Sequence, residues 1–207
     1  MPLVPGPLAL TIAHSKVDTG VMTTTIARPV TVATATTPAT SHSAGPIALA
    51  ILRLATGFVF LWAFVDKTFG LGFSTPTERA WINGGTPSQG FLLGDGVTGP
   101  LKPFFAGIAS PATDFLFMLG MLAIGLAVML GIGLRVSAVV GSVIMVLMYL
   151  AEWPFAINAA STNPLVDYHI VYALALIVVA ATSAGNTWGF GSQWAKLPVV
   201  RTQHWLR

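Results

Sequence analysis

The chain has 207 residues, 54% of them hydrophobic and only 8% charged, against roughly 25% charged in an ordinary soluble domain. With a mean hydropathy of +0.77, this composition excludes a water-soluble reading and makes the lipid bilayer the expected solvent. The net charge of +3 comes from scattered basic residues with no basic run, which excludes nucleic acid as a partner, and the absence of cysteine removes disulfides, thiolate metal sites, iron–sulfur clusters and thiol relays.

The opening Met1-Pro2-Leu3-Val4-Pro5-Gly6-Pro7 has no basic n-region and is broken by prolines, so no cleavable signal peptide is expected. Residues 1–43 are rich in Thr, Ala, Ser, Val and Pro, with runs such as Thr23-Thr24-Thr25, and carry no sustained apolar period. Too little apolar surface is present to offset chain entropy, which predicts a disordered tail.

The first hydrophobic span is predicted over 47–65, opened by Ala44-Gly45-Pro46 and closed by Asp66-Lys67, with Arg53 its one ionisable residue. About 20 residues give about 30 Å of helix, the thickness of a hydrocarbon core. The following connection, 68–111, is too long for a simple turn and is expected to be functional. It holds two prospective membrane-surface pieces, at 77–82 and at 101–106, where Phe104 and Phe105 are placed to dip into the interface.

A second span is predicted over 115–132, with Ala123, Ala127 and Gly131 as a small-residue stripe that lets backbones approach. A short turn at Gly131-Ile132-Gly133 makes the third span, ending near Ala151, its antiparallel neighbour, with Ser137 and Gly141 as a second small stripe. The fourth span is predicted over 166–184, between Asn163-Pro164 and Gly185-Asn186. Trp188, Trp194 and Trp205 among Lys196, Arg201 and Arg207 read as an aromatic belt with basic anchors.

The fold class predicted is therefore all-α. It is a four-helix transmembrane bundle (44–207) with a disordered N-terminal tail (1–43) and a long outer loop between helices 1 and 2. Four spans put both termini on one side. Lys16, Arg28, Arg135, Lys196, Arg201 and Arg207 share that side, against Lys67, Arg79 and Lys102 on the other. The bias of Lys and Arg places the protein in the cell membrane as a multi-pass protein with both termini cytoplasmic.

Ionisable groups in a span cost about 2.5 to 3.5 kcal/mol each at its centre and are functional candidates by default. Asp66, Lys67, Asp114, Glu152, Asp167 and His169 all fall near the predicted outer boundary. Tyr149 with Glu152, and His169 with Tyr172, are three apart and share helix faces. Together they suggest an outer-leaflet pocket with a proton-exchanging histidine, carboxylates and phenols, suited to a quinol or a polar headgroup. Plainer roles stand beside these. Terminal charges mark where lipid gives way to water, a membrane histidine often bridges helices, and Arg53 can snorkel or pair. His169 is the one histidine in a predicted span, so a bis-His haem is excluded, and no phosphate-binding Gly-rich loop supports a flavin or nucleotide. No bound haem, flavin or metal is expected.

Four stretches carry a family resemblance. They are Leu52-Arg53-Leu54-Ala55-Thr56-Gly57-Phe58 with Trp62, Asp66-Lys67-Thr68-Phe69-Gly70, Trp81-Ile82-Asn83-Gly84-Gly85-Thr86-Pro87 and Asn163-Pro164-Leu165-Val166-Asp167-Tyr168-His169-Ile170-Val171-Tyr172-Ala173. Over about 47–207 the chain resembles the DoxX/DoxD-like integral membrane family, especially its actinobacterial members. The resemblance implies a four-helix bundle. DoxD-like proteins are associated with the large subunit of thiosulfate:quinone oxidoreductase, which passes electrons from thiosulfate to a membrane quinone with a smaller partner subunit. Other DoxX-like members are membrane components of oxidoreductase assemblies. No catalytic residue set carries over with the resemblance.

The leading expectation is a membrane subunit of a quinone-linked oxidoreductase, oxidising thiosulfate or a related small reduced compound at the outer face with quinone as electron acceptor. Lys67, helped by Arg79 or Lys102, attracts the anion, His169 and Glu152 exchange protons with quinone, and Arg53, Asp66, Asp114, Tyr149, Asp167 and Tyr172 complete the pocket. A small partner subunit or soluble redox proteins supply what the chain lacks. The rival is a non-catalytic membrane scaffold for a redox or stress-response complex, docking through the Trp-rich tail and first loop. A small-solute transporter is a third reading, although no inverted repeat or interrupted helix pair is present.

Overall fold

The computed structural model describes residues 44–155 and 163–206. The predicted tail, with Lys16 and Arg28, and the terminal Arg207 lie outside the described residues. Among the described residues all regular structure is helical.

Three helices are long and apolar enough to cross a membrane: α1, Ala44–Phe69, and two that follow the first connection, Pro111–Leu130 and Leu134–Ala151. Helix α1 runs past the predicted boundary at 65, because Asp66 and Lys67 face loop residues instead of ending the helix. Its 26 residues reach about 39 Å.

Within the first connection, two short helices form, α2 (Pro87–Leu92) and α3 (Lys102–Ile108). The surface piece predicted at 77–82 folds as two 3₁₀ turns, Thr77–Arg79 and Trp81–Asn83. Of the two aromatics expected at the interface, Phe104 is exposed, but Phe105 is buried in a satellite core with Leu92, Val97 and Ala151. Adjacent residues on a helix point about 100° apart, so the two rings face different surroundings, and Phe105 is the one that turns toward the bundle.

Helix α4, Pro111–Leu130, begins at Ser110, whose hydroxyl accepts from the Thr113 amide, and stops at Gly131 in the left-handed conformation. Helix α5 is Leu134–Ala151. Helix α6, Tyr168–Ala181, has 14 residues, about 21 Å, and is shorter than the predicted fourth span. Asp167 caps its start by accepting from the amides of His169 and Ile170, and Ser183 adopts positive φ just beyond its end. Two short helices, α7 (Gly191–Trp194) and α8 (Pro198–Thr202), form the C-terminal segment.

Helix α1 packs on α4 and α6, and α5 packs on the same two. Phe60, Met121, Ile124, Val128, Met145, Leu176 and Val179 fill the space between them. The closest approach is between α1 and α4. A Cβ on Gly57 would sit 2.8 Å from the Met129 amide nitrogen, and one on Gly125 would sit 2.7 Å from the Leu61 nitrogen. Only glycine permits that backbone contact. Of the predicted stripe of Ala123, Ala127 and Gly131, Ala123 is exposed and takes no part in this contact, which runs through Gly125, whereas Gly131 does admit a backbone, a Cβ there lying 2.7 Å from Gly185 Cα. Gly141 does lie at a helix contact, where a Cβ would meet Leu176 at 2.5 Å.

Candidate functional site

A groove of about 1050 Å³ lies between the first connection and the paired faces of α4 and α5. Its wall is a stripe along α4, Thr113, Leu116, Phe117 and Gly120, facing Val140, Ile144, Leu147, Met148 and Ala151 of α5. Phe91 and Phe105 close one side, and Lys67, Glu78, Arg79 and Asn83 form a polar rim. Leu116, Val140 and Leu147 remain exposed along the open side, where the helices themselves are apolar enough to meet lipid.

The first connection is held over this groove by two buried carboxylates. Asp66 accepts from the Phe73 amide at 3.2 Å, the Ser74 amide at 3.0 Å and the Ser74 hydroxyl at 2.7 Å. Asp114 accepts at Oδ1 from the Ser88 amide and hydroxyl, both at 2.7 Å, and from the Gln89 amide at 3.0 Å, while Gln89 Nε2 donates to Oδ2. A carboxylate at the first amides of α2 satisfies donors that the helix cannot. Asp114→Ala is therefore expected to release α2, costing about 1–3 kcal/mol and raising hydrogen exchange at the Ser88 and Gln89 amides. Unchanged exchange there would remove Asp114 from this role.

Of the nine residues expected to form one pocket, Lys67 alone lines the groove. It reaches Ser74 Oγ at 3.4 Å. Arg53 lies toward the other end of α1, fully buried, with its guanidinium on the backbone carbonyls of Val128 (3.1 Å), Met129 (2.5 Å), Thr187 (3.4 Å) and Trp188 (2.8 Å). It clamps the end of α4 to the chain after α6. Tyr149 is also committed, donating to the Pro164 carbonyl at 2.6 Å, and Tyr172 packs against the main core.

Glu152, Asp167 and His169 do come together, at the end of α5 and the start of α6, but outside the groove lining. His169 Nδ1 is 2.8 Å from Asp167 Oδ2, and the Tyr168 hydroxyl donates to both Glu152 oxygens, at 3.2 and 3.4 Å. The sequence reading expected no metal, yet this trio consists of side chains that ligate metals.

Sequence reasoning missed the groove wall. Its spacing, i, i+3, i+4 and i+7 on α4, is visible in the sequence, but in an apolar span the same stripe serves equally to face a helix or lipid. No family model matches the chain, and neither a curated protein nor a solved structure matches it.

Proposed function

We propose that this protein is a membrane subunit of a quinone-linked oxidoreductase, with a quinone ring at the polar rim of the groove and its isoprenoid tail along the α4–α5 wall. The supporting observation is the groove's construction: an apolar trough whose exposed wall residues, Leu116, Val140 and Leu147, lie on apolar helices, headed by Lys67, Glu78 and Arg79. An amphiphile dissolved in the bilayer enters such a trough sideways without leaving the apolar phase. The cationic pair Lys67 and Arg79 draws a small anionic reductant, thiosulfate or a related compound, to the rim. Quinone takes up two protons with its two electrons, and Glu78 and Lys67 are the titratable rim groups placed to carry them. His169 and Glu152 do not border the groove, so direct exchange with quinone is not assigned to them.

The resemblance to the DoxX/DoxD-like family supports thiosulfate as donor and a small partner subunit as the electron route. In this reading α6 completes a four-span bundle in the cell membrane with both termini cytoplasmic. Purified protein in liposomes containing a quinone is expected to reduce it when given thiosulfate, sulfite or sulfide together with the partner subunit. Quinone binding without turnover under every donor and partner would favour the scaffold reading, which the exposed Trp188, Phe190 and Trp205 support as docking residues. Solute flux with no quinone binding would favour a transporter and sink the proposal.

A further inference from the structure

The two ends of the helix bundle differ in charge. Every aspartate and glutamate among the described residues, Asp66, Glu78, Asp95, Asp114, Glu152 and Asp167, belongs to the first connection or to the helix ends beside it. The opposite end is built from the close of α4, the start of α5 and the C-terminal segment, and from 168 to 207 the sequence has no acidic residue at all. Arg135, Lys196 and Arg201 are exposed there, and Arg53 is buried among the same helix ends.

The C-terminal segment is laid directly on these helix ends. The Phe190 amide donates to the carbonyl of Leu130, the last residue of α4, at 2.8 Å, and Arg135 Nη1 donates to the His204 carbonyl at 2.9 Å. The Trp194 indole closes the segment on itself by donating to the Leu206 carbonyl at 2.7 Å. The 20 residues of α4 reach about 30 Å, the thickness of the hydrocarbon core, so groups bonded to its last residue fall at headgroup depth. Val200 is turned inward, whereas Trp188, Phe190, Leu197, Val199 and Trp205 stay exposed. Trp188 also holds a φ of 52°, which glycine adopts without strain and a bulky residue rarely does, while its carbonyl accepts from Arg53. A large ring kept at a strained position and left outside the core points to a partner for the ring itself.

We propose that this face binds anionic phospholipid headgroups of the surrounding bilayer. The exposed rings and aliphatic side chains lie at the boundary of headgroup and acyl chain, and Arg135, Lys196 and Arg201 meet the phosphates. Selection for an anionic over a zwitterionic lipid follows from the net positive charge, because no neighbouring carboxylate competes for the cations. An acidic protein surface would satisfy the same cations, but it would have to displace lipid from five apolar side chains at headgroup depth, so the lipid is the occupant assigned. The assignment is independent of what the groove binds.

The test uses the full chain in neutral detergent, mixed with phosphatidylglycerol or with phosphatidylcholine of the same acyl chains, with bound lipid counted by native mass spectrometry. Phosphatidylglycerol is expected to bind at least about 10-fold more tightly, a preference that shrinks as salt is added. Lys196→Gln combined with Arg201→Gln should lower phosphatidylglycerol affinity by about 25-fold, about fivefold for each cation removed. Phosphatidylcholine binding and the melting temperature without lipid should stay near wild type, since both side chains are exposed. If the double variant melts early, Lys196→Gln alone carries the test at about fivefold. The chain has no cysteine, so Leu197→Cys takes a single fluorophore, which brominated phosphatidylglycerol in liposomes should quench and aqueous iodide should not. Equal affinity for the two lipids, or a preference that survives the loss of Lys196 and Arg201, would overturn the assignment. Quenching by iodide alone would overturn it as well and leave the face to an acidic protein partner.

Discussion

Arg53→Met is expected to destabilise the folded protein by about 1–3 kcal/mol, the cost of leaving buried acceptors without their donor. The guanidinium is 0% exposed and donates to four carbonyls on two separate stretches, Val128 and Met129 at the end of α4 and Thr187 and Trp188 after α6. Methionine fills similar length but leaves those carbonyls without the donor that joins them, and an unsatisfied buried acceptor costs about 1–3 kcal/mol. Arg53→Lys is also expected to fail in large part, because a single ammonium cannot span two stretches as a planar fork does. Denaturation of the purified variants in detergent reads both. A wild-type melting temperature in Arg53→Met would show that the clamp contributes nothing. The loss is expected to be structural, with quinone binding per folded molecule unchanged, since Arg53 is far from the groove lining.

Gly120→Phe is expected to weaken quinone binding by at least about 100-fold, about 3 kcal/mol, with little change in melting temperature. Gly120 is on the groove wall, and the one atom near its Cβ position is Ile144 Cδ1 at 3.3 Å, the flexible end of a side chain. The new ring therefore has room to enter the groove and occupies the space assigned to the tail. Glycine inside a helix is itself unfavourable by about 0.5–1 kcal/mol relative to alanine, so its replacement offsets any local crowding. Binding is measured by titrating a short-chain quinone in detergent. Wild-type affinity in a folded Gly120→Phe would move the quinone out of this groove, whatever the donor proves to be.

Composition and apolar period determined the class of this protein. Low charge and long uncharged blocks admit only helices that satisfy their own backbone in lipid, and spans one to three lie within a few residues of their predicted positions because Pro111, Gly131 and the 131–133 turn act locally. Asp167 has the position of a boundary charge but serves as the N-cap of α6, and with Ser183 beyond the other end the helix is shorter than its hydropathy suggests. What the sequence could not determine was which polar groups meet. Asp66, Asp114, Glu152 and Asp167 look alike as carboxylates near a boundary, but the fold spends the first two on loop amides 7 to 26 residues away, bonds Asp167 to His169 and gives Glu152 to the Tyr168 hydroxyl. Arg53 likewise meets carbonyls 75 and 135 residues distant. Periodicity specifies the face a side chain occupies, whereas its partner depends on helix order and loop path, which only the tertiary structure decides because a buried polar group is satisfied by whatever donor or acceptor the packing brings to it.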